Sequence, residues 1–357
     1  MKNWVPVKNI DTDLVNELLE KSLKVNHFTN NGPNVQLLES FIRDKFKVGE
    51  DKSVIVVTNG AVALHSITSG IQYTENMMLQ WATQSFTFPP SAQSNLSNVE
   101  IIDIDRDGGL DLNLVDENIN GIIVTNIFGN VVDIDKYTEW AKTNNKFLIF
   151  DNAATAYTFY KGTNCVNYGN GCIISFHHTK PFGFGEGGVI IVDKKYEKAI
   201  RCLNNFGIGL TERDYWVKEG NNNKMSDISA VYILQFLMNN FDKIVNHHND
   251  MYMYVNEKIK KIKDEEGIDL KWKLFPSFHE DNIIVPSCLC ILFDNYDDNI
   301  RLKLLENNIY CRKYYYPLKN TKVACEIFGS ILCISFTTEM TKENIDEIFE
   351  IISTNYY

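Results

Sequence analysis

The sequence has no CxxC pair, no apolar run of membrane-spanning length and no excess of positive charge. Each absence removes a class of function. The eight cysteines stand apart at 165, 172, 202, 288, 290, 311, 325 and 333, so no zinc-ribbon or dithiol redox motif is written in the chain. Cys288 and Cys290 would share one face of a strand and read as core residues rather than metal ligands. Scattered cysteines point to a reducing compartment, with the cytoplasm as the expected location. No segment is apolar for long enough to span a bilayer, and Met1-Lys2-Asn3-Trp4-Val5-Pro6 lacks the apolar core of a signal peptide. A net charge of −11 argues against a broad nucleic-acid surface. It leaves room for a local pocket around a phosphorylated small molecule. No repeat or low-complexity linker divides the chain.

What is present suits a soluble protein with a large core. The 357 residues suffice for a large domain and a smaller one, and 44% are hydrophobic. Asp11 and Thr12 offer a helix cap before Leu14, Val15, Leu18, Leu19 and Leu23 at helical spacing. A polar loop, Asn26 to Pro33, leads to a second amphipathic pattern from Val35 to Phe46. Short apolar runs then alternate with helical patterns at Val54–Val57, Met77–Leu79, Ile101–Ile104, Ile122–Val124, Phe147–Phe150, Ile173–Phe176 and Val189–Val192. Seven such runs predict a mostly parallel α/β sheet covered on both faces. From Ser226 to Lys263 the pattern is helical, with Ile228, Val231, Leu234, Leu237 and Phe241 as its apolar stripe. The remaining strands, Leu289–Phe293 and Ile331–Ser335, and a closing helix, Lys342–Ile352, belong to a smaller α+β region. The expected division is 1–240 and 241–357.

The chemistry concentrates just past strand ends, where ligands of such sheets bind. Ser175-Phe176-His177-His178-Thr179-Lys180 delivers one lysine into the glycine-rich turn Gly183 to Gly188. A lysine so placed is suited to holding an aldehyde as a Schiff base, as enzymes using pyridoxal 5'-phosphate do. The run Phe147-Leu148-Ile149-Phe150 ends in Asp151, the acid a pyridinium nitrogen requires. Thr58-Asn59-Gly60-Ala61-Val62 reads as a strand-to-helix turn whose amides could take a phosphate, with the Ser175 hydroxyl beside them. Standing alone, that motif would be an ordinary turn. Phe86 and Phe88 are core candidates, although an aromatic there could stack on a planar ring. The glycine run precedes a strand rather than following one, so it is not a dinucleotide fingerprint. His177-His178 and His247-His248 lack ligand spacing and read as polar lining or packing; no metal is expected. Glu186 reads as a structural carboxylate binding turn amides.

Together these residues resemble the sugar-nucleotide aminotransferases of the DegT–StrS type, which have the aspartate aminotransferase-like fold of pyridoxal-phosphate enzymes, fold type I. The likeness runs in order through most of the chain. Asn30-Asn31-Gly32-Pro33 resembles the substrate loop; Asn59-Gly60-Ala61-Val62 the phosphate turn; Ser85-Phe86-Thr87-Phe88 the segment whose last aromatic stacks on the cofactor. Asp151-Asn152-Ala153-Ala154 resembles the strand end with the pyridinium partner, and the segment to Lys180 carries the most specific match. Asn222 resembles an asparagine that reaches the phosphate in the neighbouring subunit, which implies a homodimer. Arg312, Tyr314 and Tyr315 resemble a substrate segment, and His178 is placed on the substrate side.

Two departures stand out. Ala61-Val62 occupy positions where the family has Thr-Ala, so a hydroxyl is lost, and Ala154 stands where Gln or His contacts the cofactor's ring oxygen. Lys180, which non-transaminating members replace by histidine, implies transamination. The resemblance implies glutamate as donor and a nucleotide-linked keto sugar as acceptor. Within it, Asn26 to Pro33 favours a dTDP-linked 4-keto-6-deoxy sugar, giving a 4-amino sugar such as viosamine. A 3-aminotransferase, a sugar dehydratase and a non-catalytic regulatory protein of the same fold are the alternatives.

Overall fold

Helix starts follow the caps written in the sequence. In the computed structural model, which describes residues 3–212, 215–264, 270–276 and 283–356, α1 (Thr12–Val25) is capped by Asp11, whose carboxylate accepts the Leu14 N–H at 3.0 Å. Proline opens α2 (Pro33–Lys45), where its missing N–H costs nothing. The chain then alternates through β1 (Lys52–Val57), α3 (Gly60–Glu75), β2 (Trp81–Gln84), β3 (Glu100–Ile102), β4 (Gly121–Thr125), α4 (Ile134–Thr143) and β5 (Phe147–Asp151). After a small hairpin, β6 (Phe159–Tyr160) and β7 (Thr163–Asn164), come β8 (Gly171–Ser175), β9 (Gly188–Asp193) and α5 (Glu197–Leu203).

Seven of these strands form one sheet in the order β1-β9-β8-β5-β4-β2-β3. Four neighbouring pairs run parallel, and only β9 is antiparallel to both its neighbours. Most of their residues are apolar because both faces are covered. Val54, Val56, Ile122, Val124, Leu148, Phe150, Ile174 and Ile191 pack on one face with α1, α2 and the first half of α6 (Asp227–Asp264). The alternate residues Ile55, Val57, Ile123, Ile149, Ile173 and Ile190 pack on the other with α3 and α5. The period of two thus sorts each strand between two cores.

The predicted strand Met77–Leu79 does not form. α3 ends in a left-handed cap at Asn76, Met78 is left 86% exposed, and the strand begins at Trp81. Three apolar residues in a row marked a loop, while Trp-Ala-Thr-Gln forms a buried strand that shows no such run. The α6 stripe holds at Val231, Leu234, Leu237 and Phe241, but Ile228 faces outward. α6 is shared: beyond Ile244 its buried residues, Tyr252, Val255 and Ile262, join a second core. That core lies on a four-stranded antiparallel sheet of β10 (Trp272–Leu274), β11 (Cys288–Phe293), β12 (Cys311–Arg312) and β13 (Ile331–Ser335), in the order β10-β11-β13-β12. It carries α7 (Asn299–Glu306), α8 (Lys322–Ser330) and α9 (Lys342–Tyr356). Among the described residues no helix is long and apolar enough to cross a membrane.

Two carboxylates, Asp227 buried and Asp103 half-buried, tie distant segments. Asp227 accepts the Val35 N–H at 2.8 Å, Asn34 Nδ2 at 2.9 Å and the Ser22 hydroxyl, tying the start of α2 and the end of α1 to the start of α6. Asp103 accepts the Val323 and Ala324 amides at 2.9 and 3.0 Å and so caps α8 from the large sheet. Burial pushes its carboxyl up, but these amides and the Thr321 hydroxyl hold it below its ordinary value.

Candidate functional site

The carboxyl ends of β1, β5 and β8 open on one cavity of about 480 Å³. Its wall includes Asn59, Gly60, Ala61, Phe88, Thr125, Asp151, Ala154, Ser175, His177, Lys180, Tyr314 and Tyr315. Lys180 leaves β8 by a tight turn in which its N–H donates to His177 O at 2.8 Å, and Gly183 N–H donates back to Lys180 O at 3.0 Å. The turn is so close that a Cβ at Gly183 would lie 1.9 Å from His177 O. Burial lowers the Lys180 ammonium's pKa, and Cys288 and Asp151 pull the other way. Asp151 is 5% exposed and accepts the Ala153 N–H at 3.0 Å. Burial raises its carboxyl, opposed by that amide and by Lys180.

At the N-terminus of α3 the Asn59 side chain accepts the Val62 N–H at 2.9 Å. Val62 is therefore spent on the cap and is absent from the cavity wall, while the amides of Gly60 and Ala61 precede the first intrahelical bonds. A Cβ at Gly60 would meet Ser175 Cβ at 2.9 Å, so glycine is what lets the helix start against β8. Ser175 Oγ accepts the His177 N–H at 3.2 Å at the same place. Phe86 is fully buried, but Phe88 is 56% exposed on the cavity and is not a core residue.

Several expected residues lie elsewhere. His178 turns away, its ring 5.5 Å from Phe184, and His177 is the histidine in the wall. Glu186 makes its contact with His177 Nε2, at 3.5 Å, rather than with turn amides. Arg312 stands behind the wall, its guanidinium 4.1 Å from the Trp4 ring centroid and donating to Tyr314 Oη at 2.8 Å. Asn30 and Asn31 line a separate hollow of about 150 Å³ with Glu39, Arg201, Asn204, Asn205 and Lys224. Exposed Asn222 belongs to that region too, its Oδ1 accepting Lys224 Nζ at 2.7 Å.

Sequence reasoning missed Trp4, Thr125, Phe128 and Cys288 in the wall. It also missed Lys8, whose Nζ donates to His178 O and Lys180 O at 2.8 Å and to Gly183 O. Lys8 thereby ties the chain's first segment to the Lys180 turn, and burial lowers its pKa to about 7. Its only signal was a lone basic residue in an apolar–polar segment remote in sequence.

The wall fits pyridoxal 5'-phosphate. It brings free helix amides and a hydroxyl for a phosphate, a buried carboxyl for a pyridinium, an exposed aromatic face and one lysine to a single cavity of suitable size. The chain matches the DegT/DnrJ/EryC1/StrS aminotransferase family over residues 9–353. It is 25% identical over 348 residues to a dTDP-4-amino-4,6-dideoxy-D-glucose transaminase of Shigella dysenteriae, covering 91% of each chain. It is 28% identical over 297 residues to a UDP-4-amino-4,6-dideoxy-N-acetyl-beta-L-altrosamine transaminase of Campylobacter jejuni, covering 76% of each. Among solved structures, a DegT DnrJ EryC1 StrS aminotransferase from Brucella abortus superposes with a TM-score of 0.79 at 20% identity, over 96% of this chain and 95% of that one. At such identity the likeness establishes the fold: a pyridoxal-phosphate aminotransferase architecture. The strand-end lysine, the buried aspartate and the full-length match agree, and the chain belongs to the DegT/DnrJ/EryC1/StrS aminotransferase family.

Proposed function

We propose that this aminotransferase moves an amine from glutamate to the ketone of a dTDP-linked 4-keto-6-deoxy sugar, in the cytoplasm and as a homodimer. The observation that carries the chemistry is the meeting of Lys180 and Asp151 in one cavity. Pyridoxal phosphate, when bound, supplies the aldehyde carbon that takes up the amine and the ring that delocalises the electron pair. Lys180 Nζ would hold that aldehyde and, as a free amine, would take and return the proton of the donor's α-carbon. Its lowered pKa favours the neutral amine that such a base needs. Asp151 keeps the ring nitrogen protonated; its burial, costly for a lone carboxylate, favours a cationic partner. Gly60 and Ala61 amides with Ser175 Oγ would hold the phosphate, Phe88 would offer its face to the ring, and Tyr314 and Tyr315 would border the substrate.

The sugar assignment is drawn from the Asn26 to Pro33 segment and from the relative that acts on a dTDP-linked 4-amino sugar. The homodimer reading is supported by where Asn30, Asn31 and Asn222 gather. They share a region outside the Lys180 cavity of their own chain, as residues that serve a second copy's site would. All eight cysteines are free thiols, in keeping with a reducing compartment. The test is product analysis: a panel of nucleotide-linked 3- and 4-keto sugars incubated with glutamate and followed by mass spectrometry. An amino sugar formed with an equivalent of 2-oxoglutarate from the 4-keto substrate is expected. Amination only at the 3-position, water loss without 2-oxoglutarate, or no turnover would each replace this reading with one of its rivals.

A further inference from the structure

Three thiols converge at the edge of the Lys180 cavity, with Cys288 in its wall and Cys290 and Cys333 behind it. Cys288 and Cys290 lie two apart on β11 and so share a face, and Cys333 on β13 stands directly across from Cys290 in the antiparallel register. Their sulfurs are 3.4 Å (Cys288–Cys290) and 3.3 Å (Cys290–Cys333) apart, and all three fall within 4.8 Å of one another. The side chains are 4%, 3% and 0% exposed, and none is in a disulfide. Buried cysteines are common as small hydrophobes, and a single pair would need no other explanation. Three sulfurs from two strands meeting at one point beside an open cavity do.

We propose that Cys288, Cys290 and Cys333 form a thiolate site for a thiophilic divalent ion of the zinc class, set in the wall of the cofactor cavity. A metal–sulfur bond of about 2.3 Å places three ligand sulfurs about 3.8–4.0 Å apart. Separations of 3.3 and 3.4 Å, with all three sulfurs within 4.8 Å, lie close to that value, so small side-chain rotations on a fixed sheet would suffice. Soft sulfur donors select such ions over magnesium or calcium. Cys288 itself lines the cavity, which gives the ion an entry path and leaves its fourth position facing the cavity. Binding exchanges one divalent ion for three thiol protons released to solvent, leaving one net negative charge at the site. Lys180 lines the same cavity as Cys288. The ion would therefore draw on the amine that the transfer reaction needs, and occupancy would inhibit the enzyme.

The holoenzyme is titrated with Zn2+ and, separately, with Cd2+, following metal content after desalting and the ultraviolet thiolate-to-cadmium band. One ion per chain, a cadmium band and falling transaminase activity are expected. Cys290→Ser and Cys333→Ser, whose side chains lie behind the wall, should each weaken binding by at least tenfold; Cys325→Ser, at the exposed cysteine, should not. X-ray absorption of the zinc-loaded wild type needs no variant and should count three sulfur neighbours. Fewer than three sulfurs, or affinity unchanged in both buried variants, overturns the site.

Discussion

The Lys180 cavity and the hollow lined by Asn30 and Asn31 are separate regions of the chain, and they are built by different rules. The first is built from strand ends: Asp151 closes β5, Ser175 closes β8, and Gly60 opens the helix after β1. Parallel neighbours in a sheet bring such ends together whatever the loops do. The second is built from loop asparagines held in place by remote partners. Asp227, nearly two hundred residues on, holds the start of α2 that follows this loop, and Arg201 grips Glu39 through Nη1 and Nη2 at 3.1 and 2.9 Å. A buried strand end is a position the sequence can state; a loop's destination depends on packing that the local sequence does not encode.

The largest expected effect tests the strand-end half. Lys180→Ala should keep the fold and lose turnover by about 10³-fold or more, the range of a removed general base. Borohydride reduction of the wild type followed by peptide mapping should place the pyridoxyl group on Lys180. Labelling of another lysine would detach the chemistry from β8. Next, Asp151→Asn should lower turnover by about 10²–10³-fold, as loss of other preorganised charge does, while some cofactor still binds. A variant within about twofold of wild type would remove Asp151 from its role.

The third prediction addresses the hollow directly. If its asparagines complete a partner's cavity, the separation within one chain disappears in a dimer with two equivalent, shared sites. Asn222→Ala should be crippled alone, and so should Lys180→Ala. Mixed subunits would then carry both defects in one site and neither in the other, and part of the activity should return. No recovery despite verified subunit exchange, with Asn222→Ala clearly impaired, would make the two regions independent.

Most of the site's centre was legible because its residues obey strand-end logic. Gly60, Ala61, Phe88, Asp151, Ser175, Lys180, Tyr314 and Tyr315 all reach the cavity. Val62 fails by one hydrogen bond, since Asn59 takes its amide. His178 fails by one residue: its ring packs near Phe184, and His177 takes the place in the wall. Arg312 fails by one layer, stopped behind Trp4 and Tyr314. Cys333 was invisible as a neighbour of Cys288, because cross-strand register in the smaller sheet is not written locally. The same holds for Met77–Leu79: hydrophobicity announced a strand, but the left-handed cap at Asn76 and the buried Trp81 decided where it starts.

The smallest predicted effect concerns Lys8, the contact that makes even the strand-end cavity depend on a remote segment. Its ammonium donates to three carbonyls of the Lys180 turn, and burial holds its pKa at about 7 against an ordinary 10.5. Between those two values the unfolded chain carries the extra proton, so this group's contribution to stability rises with pH across that window. Below about pH 7 the lysine is charged in both states and its desolvation cost is felt in full. Lys8→Met removes both the donors and the titration. Urea unfolding of wild type and variant at about pH 6 and about pH 9, with cofactor saturating, should therefore show the wild type gaining stability relative to the variant at the higher pH. The Lys180 turn should also become more accessible to proteolysis in the variant at either pH, because three carbonyls lose their common donor. Equal pH slopes in the two proteins would mean that Lys8 titrates as an ordinary surface lysine, and that the turn is held by β8 and the Gly183 contact alone.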